Sequence, residues 1–131
     1  MTFESRHLSV PIRRPAEQVY RYLTDPANLP AWAAGLSGSI ERIGDDWFAD
    51  SPTGRVLVRF VPLNEFRVAD HDVTLPSGAT VRNPMRVLPD GDGCEVVFTV
   101  RRQPNQSETE FEADCDVVAA DLATLKQLLE S

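Results

Sequence analysis

Two histidines occur in the sequence, His7 and His71, and the second lies between carboxylates in the stretch Asp70-His71-Asp72-Val73. Imidazole titrates near neutrality and can accept a proton, donate one, hydrogen-bond or ligate a metal. Which of these it does depends on the face of the backbone it occupies. Strand alternation puts Ala69, His71, Val73 and Leu75 on one face and Asp70, Asp72 and Thr74 on the other. The next strand, read the same way, turns Val81, Asn83, Met85 and Val87 inward, and a bulge would invert the parity. His71 and Asn83 are then two polar groups among apolar neighbours, and buried polar groups need partners in the fold or on a ligand. His71 is thus a candidate ligand contact and the candidate acid–base catalyst, with Asn83 orienting a substrate. Asp70 and Asp72 read as solvent-side charges rather than a relay.

Other chemistries are poorly supplied. Two histidines make no cluster of the kind zinc or iron needs, so no metal and no other cofactor is expected. No nucleotide loop, serine-centred elbow or Cys-x-x-Cys pair is present, and Gly91-Asp92-Gly93 is a hairpin turn without the lysine and helix of a phosphate cradle. Cys94 and Cys115 fall on apolar patterns and read as reduced core residues. Arg59 and Arg86 lie on outward strand faces, where cross-strand ion pairing is the first reading and a carboxylate clamp at a rim the second.

The elements that hold these residues follow from periodicity. Phe111, Cys115, Val118, Leu122, Leu125 and Leu129 step by four and three, which predicts one amphipathic helix over 107–131, roughly 35 Å long. Ser107 and Glu110 fit a capping box at its start, and Asp114, Asp116, Asp121 and Glu130 are left for solvent. Leu8, Val10 and Ile12 share a face of a first strand, which Pro11 marks as an edge or an end. Pro15 opens a short helix with Val19, Tyr22 and Leu23 as its apolar face, and Asp25-Pro26 opens a second that Pro30 keeps to about a turn. Strands are then expected over 37–44, 47–49, 55–61, 66–75, 79–88 and 94–102, hairpin-linked into an antiparallel meander. Val96, Phe98 and Val100 face the helix while Glu95, Thr99 and Arg101 face water. Pro84 inside its strand suggests a kink that opens the sheet. The expected architecture is α+β: a curved sheet of six to seven strands wrapped around a long C-terminal helix, with two short helices after the first strand. Such a sheet cannot lie flush along a straight helix, so a cavity is expected between them.

Length and charge bound the rest. A chain of 131 residues is one domain's worth, 1–131, and its formal charge of -7 disfavours nucleic acid and anionic membranes as partners. No charged leader and no run of some eighteen apolar residues is seen, which implies a cytoplasmic protein with no integral membrane association. An edge near Pro11 leaves a homodimer possible, although proline and charge also protect edges.

The opening Ile12-Arg13-Arg14-Pro15-Ala16-Glu17-Gln18-Val19-Tyr20, running into Leu23-Thr24-Asp25-Pro26 and Trp32, resembles that of the START/Bet v 1-like superfamily. Within it, the chain is most similar to the bacterial polyketide cyclase/dehydrase-like and lipid-transport-like branch. The likeness covers about Leu8 to Leu129. It implies the helix-grip fold and a deep cavity able to hold an aromatic, polyketide, sterol-like or lipid ligand, without implying a reaction. The expected wall comprises Tyr22 and Trp32 from the short helices, Val58, Phe60, His71, Val73, Asn83, Met85 and Phe98 from the strands, and Phe111, Cys115 and Val118 from the long helix. Three functions follow: binding of a small hydrophobic or aromatic ligand first, a cyclase or dehydratase using His71 second, and a regulatory protein-interaction module third.

Overall fold

The computed structural model describes residues 3–36 and 38–131. β1 (Ser5–Ile12) pairs antiparallel with β8 (Gly93–Arg101) from Ser5 opposite Arg101 to Ile12 opposite Cys94. It is an edge strand, so the N–H that Pro11 lacks costs no ladder bond. α1 (Ala16–Leu23) follows Pro15, then a single 3-10 turn (Pro26–Asn28) in which the Asp25 carboxylate accepts from the Ala27 N–H at 3.1 Å. α2 (Leu29–Trp32) carries Pro30 in its first turn, where proline is tolerated, and another 3-10 turn (Ala34–Leu36) completes the segment. The buried tyrosine of α1 is Tyr20 rather than Tyr22. Its hydroxyl accepts from the Asn64 N–H at 3.0 Å, and Tyr22 stays partly exposed.

The meander runs β2 (Ile40–Ile43), β3 (Asp46–Ser51), β4 (Gly54–Phe60), β5 (His71–Thr74), β6 (Thr80–Asn83), β7 (Met85–Asp90) and β8. Ser37, where the first of these strands was expected to begin, lies outside the described residues. The strands form a five-stranded sheet β2-β3-β4-β5-β6 and a three-stranded sheet β1-β8-β7. Eight strands replace the expected six to seven because Pro84 divides 79–88 into β6 and β7. The pairing nevertheless continues across the kink: Ala69 N–H donates to the Met85 carbonyl at 2.8 Å and Val87 N–H to the Arg67 carbonyl at 3.2 Å. The expected strand over 66–75 keeps its regular form only in β5, since Arg67 takes a left-handed φ of 55° and Val68 bridges singly to Arg86.

α3 (Glu108–Glu130) begins with the expected capping box: Ser107 Oγ accepts from the Glu110 N–H at 3.1 Å, and Glu110 accepts from the Ser107 N–H at 2.9 Å. Phe111, Cys115, Leu122 and Leu125 are buried along it, with Val118 and Leu129 partly so. The helix packs along β1 and β8, and α1 packs on β7 and β8. Polar latches hold both ends of α3 to β1. Arg6 donates twice to Glu112, at 2.7 and 2.9 Å, and its guanidinium lies 5.2 Å from the centre of the Phe111 ring. At the far end Lys126 donates to the Pro11 carbonyl at 2.7 Å, while Glu130 accepts from Lys126 at 2.9 Å and from the Arg13 N–H at 2.7 Å. Glu130 is therefore not a free solvent charge, and these donors, Lys126 first, pull its carboxyl down to about 2. Thr99 was expected in water, yet it is buried on the outer face and hydrogen-bonds His7 Nδ1 at 2.8 Å. No helix among the described residues is long and apolar enough to cross a membrane.

Candidate functional site

A cavity of about 420 Å³ lies between the flank of α3 and the inner faces of β5, β6 and β8. That volume is in the range of small-molecule sites, roughly 300–1,000 Å³. Val73, Leu75, Val81 and Asn83 form one wall, Phe98 and Val100 the floor, and Val118 and Leu122 the helix side. Leu29, Trp32, Ala33 and Leu36 close one end. The mouth passes the exposed residues Gly35, Arg101, Asp114 and Val117. The aliphatic residues come from strict strand alternation, so they form continuous apolar surface.

His71 is on the inner face and only 6% exposed. Its ring is held between Phe60, whose centroid is 4.8 Å away, and Phe98, at 5.9 Å edge-on. Nδ1 lies 3.1 Å from the Ala69 carbonyl, which can only accept, so Nδ1 carries the proton. Nε2 is then the acceptor, facing Asn83 Nδ2 at 3.4 Å. Burial lowers the pKa of the ring below its usual value, and the Ala69 carbonyl and the nearby Asp70 and Asp72 oppose this only in part. The site thus presents a neutral imidazole with an under-used lone pair. It can take a proton at Nε2 but has none to give there.

The outer face absorbs the neighbouring charges. Asp70 accepts from the Met85 N–H at 2.9 Å and from Arg86 at 3.0 Å, Asp72 pairs with Arg82, and Arg59 pairs with Asp46 at 3.0 Å. Arg59 and Arg86 are thus in cross-strand ion pairs. Burial raises the pKa of both free cysteines, Cys94 and Cys115, which keeps them as thiols.

Of the residues expected in the wall, Trp32, His71, Val73, Asn83, Phe98 and Val118 are brought together around the cavity. Tyr22, Val58, Phe60, Met85, Phe111 and Cys115 are not in its lining. Phe60 stands behind the imidazole as the cross-strand partner of His71. Val58 and Met85 are sealed in the core, at 1% and 0% exposure. Phe111 and Cys115 are buried in the first two turns of α3, before the point where the same stripe reaches the cavity at Val118 and Leu122. Asp121, expected in solvent, is half-buried, lines the cavity and accepts from the Ala34 N–H at 3.0 Å. Burial raises its pKa and that hydrogen bond offsets part of the rise. Its i, i+3, i+4, i+7 spacing with Asp114, Val117 and Val118 was the available signal, and it marks a second stripe beside the apolar one. The Trp32 indole N–H is buried without a partner among the described residues.

A curved antiparallel meander with a long C-terminal helix and a cavity between them defines a helix-grip protein of the START/Bet v 1-like superfamily. Residues 5–130 match the family described as polyketide cyclase / dehydrase and lipid transport, and the chain belongs to it. No curated protein is similar enough in sequence to match. Among solved structures, the protein XoxI from Bacillus cereus is similar at a TM-score of 0.75 and 15% identity, covering 95% of this chain and 94% of that one. A truncated norcoclaurine synthase from Thalictrum flavum is similar at 0.63 and 16%, covering 100% of this chain and 98% of that truncated one. The di-domain ARO/CYC BexL from the BE-7585A biosynthetic pathway is similar at 0.71 and 16%, covering 95% of this chain and 45% of that one. At such identities the likeness shows the fold alone.

Proposed function

We propose that the protein binds a small aromatic or otherwise apolar molecule in the cavity beside α3, with one polar contact at His71. The observation that carries this reading is a 420 Å³ space with aliphatic and aromatic walls and a neutral imidazole held between two phenylalanine rings. A few convergent polar groups in an apolar pocket are the usual anatomy of such sites. The norcoclaurine synthase and the ARO/CYC among the similar structures support a small-molecule role.

A catalytic version of this reading, a cyclase or dehydratase, gives His71 the role of base. The proton on Nδ1 is spent on the Ala69 carbonyl, so His71 can act only by accepting a proton at Nε2. Isothermal titration with two- and three-ring aromatics tests the binding reading directly. Dissociation constants below the millimolar range that are lost on Val118→Phe support it. Absence of binding up to millimolar concentration in the intact protein removes it.

A further inference from the structure

On the ligand-binding reading above, we infer that the guest carries a hydrogen-bond donor at its buried end: a hydroxylated aromatic, phenol or enol, whose O–H donates to His71 Nε2, in preference to an ether, ester, quinone or carboxylate. The Ala69 carbonyl fixes the proton on Nδ1, so the neutral ring offers Nε2 as an acceptor. The Asn83 amide is turned with Nδ2 towards that nitrogen at 3.4 Å, near the outer limit of a hydrogen bond, and this leaves the lone pair weakly used. A hydroxyl at ordinary distance would displace that contact at little cost. It could also accept from the second N–H of Asn83 while donating to Nε2, whereas an ether oxygen or a carboxylate can only accept.

The remaining polar lining is mixed, and His71 Nε2 is the acceptor at its buried end. Asp121 and Asp114 are acceptors on the helix flank, and one carboxamide N–H of Gln103 donates to the Arg101 carbonyl at 2.9 Å. The Trp32 indole N–H is buried without a partner among the described residues, a donor at the closed end of the cavity rather than beside Nε2. Arg101, the one cation in the lining, sits at the exposed end of β8. An acceptor pressed against Nε2 would set two lone pairs against each other, which costs more than the lost bond alone.

Three probes on one skeleton separate the cases in the intact chain: 2-naphthol, 2-methoxynaphthalene and 2-naphthoate. Calorimetry should give 2-naphthol about tenfold tighter binding than the methyl ether, with the carboxylate weakest. Nitrogen-15 NMR of the imidazoles should show the His71 Nε2 resonance moving with 2-naphthol and not with the ether, while His7, hydrogen-bonded to Thr99 on the outer face, stays fixed. His71→Phe, which keeps a ring between Phe60 and Phe98, should level the naphthol and the ether. The NMR readout needs no substitution, so a misfolded variant would not blunt the test. An ether or carboxylate that binds the native protein as tightly as the naphthol, or a bound naphthol that leaves Nε2 unshifted, overturns the inference while the cavity reading stands. If none of the three binds, the cavity reading falls and the inference falls with it.

Discussion

The two sheets carry the same alternating pattern and end in different states. In β1-β8-β7 the inward residues Ile12, Val96 and Val87 are sealed, at 1%, 0% and 1% exposure, because α3 lies along β1 and β8 and α1 lies on β7 and β8. In β5 and β6 the equivalent Val73 and Val81 remain partly open and line the cavity. α2 and the turn after it close one end of that space. Apolar alternation therefore marks a face that needs cover without saying whether the cover is protein or guest. In this fold one helix too narrow for the whole sheet leaves the difference as a cavity.

The contrast can be broken most sharply by truncation on each side. Phe111→Ala, in the filled part, should cost about 3–5 kcal/mol, while Val118→Ala, beside existing space, should cost about 1 kcal/mol or less. Denaturant midpoints at constant slope measure both, and equal costs would mean that the cavity is closed in solution. Filling is the converse. Val118→Phe should weaken binding of two-ring aromatics about tenfold or more while holding or raising the melting temperature, since added apolar contact compensates for lost space.

Acidification tests the latch on the filled side. The Glu130 carboxyl lies at about 2 against an ordinary 4.5, so its contribution is complete above 4.5 and is lost as pH falls towards 2. The melting temperature of the native protein should decline through that window, and Glu130→Gln should remove this part of the decline. The smallest effect belongs to the hollow side. Asp121 has a raised pKa, so its ionisation opposes folding as pH rises through and above 3.8. Asp121→Asn keeps an acceptor for the Ala34 N–H and should melt slightly higher than the native protein at pH 7, with the two converging at low pH.

Much of the fold was legible because its signals are local. The capping box of Ser107 and Glu110, the stripe on α3 and the inward parity of His71 and Asn83 all follow from spacing within a single element. Features that depend on how elements meet were not legible in the same way. Tyr20 and Tyr22 are two residues apart on one helix, and only the docking of α1 decides which is buried. Phe111 and Cys115 share a stripe with Val118 and Leu122, yet the first two are buried in the core while the last two line the cavity, a difference set by position along α3. Pro84 signalled a kink, but the division into β6 and β7 depends on the pairing across it. The candidate site was accordingly half visible: its strand wall could be read, while the carboxylates on its helix wall were marked only by a spacing that lies beside the apolar stripe.

Methyl NMR of the valine and leucine side chains during titration with 2-naphthol tests most directly whether the hollow half takes a guest. The expected result is that Val73, Val81, Val100, Val118 and Leu122 shift together and saturably while Val19, Val96 and Leu125 stay in place. Shifts scattered over the surface, or none at all at saturating probe, would contradict a binding cavity between α3 and strands β5, β6 and β8.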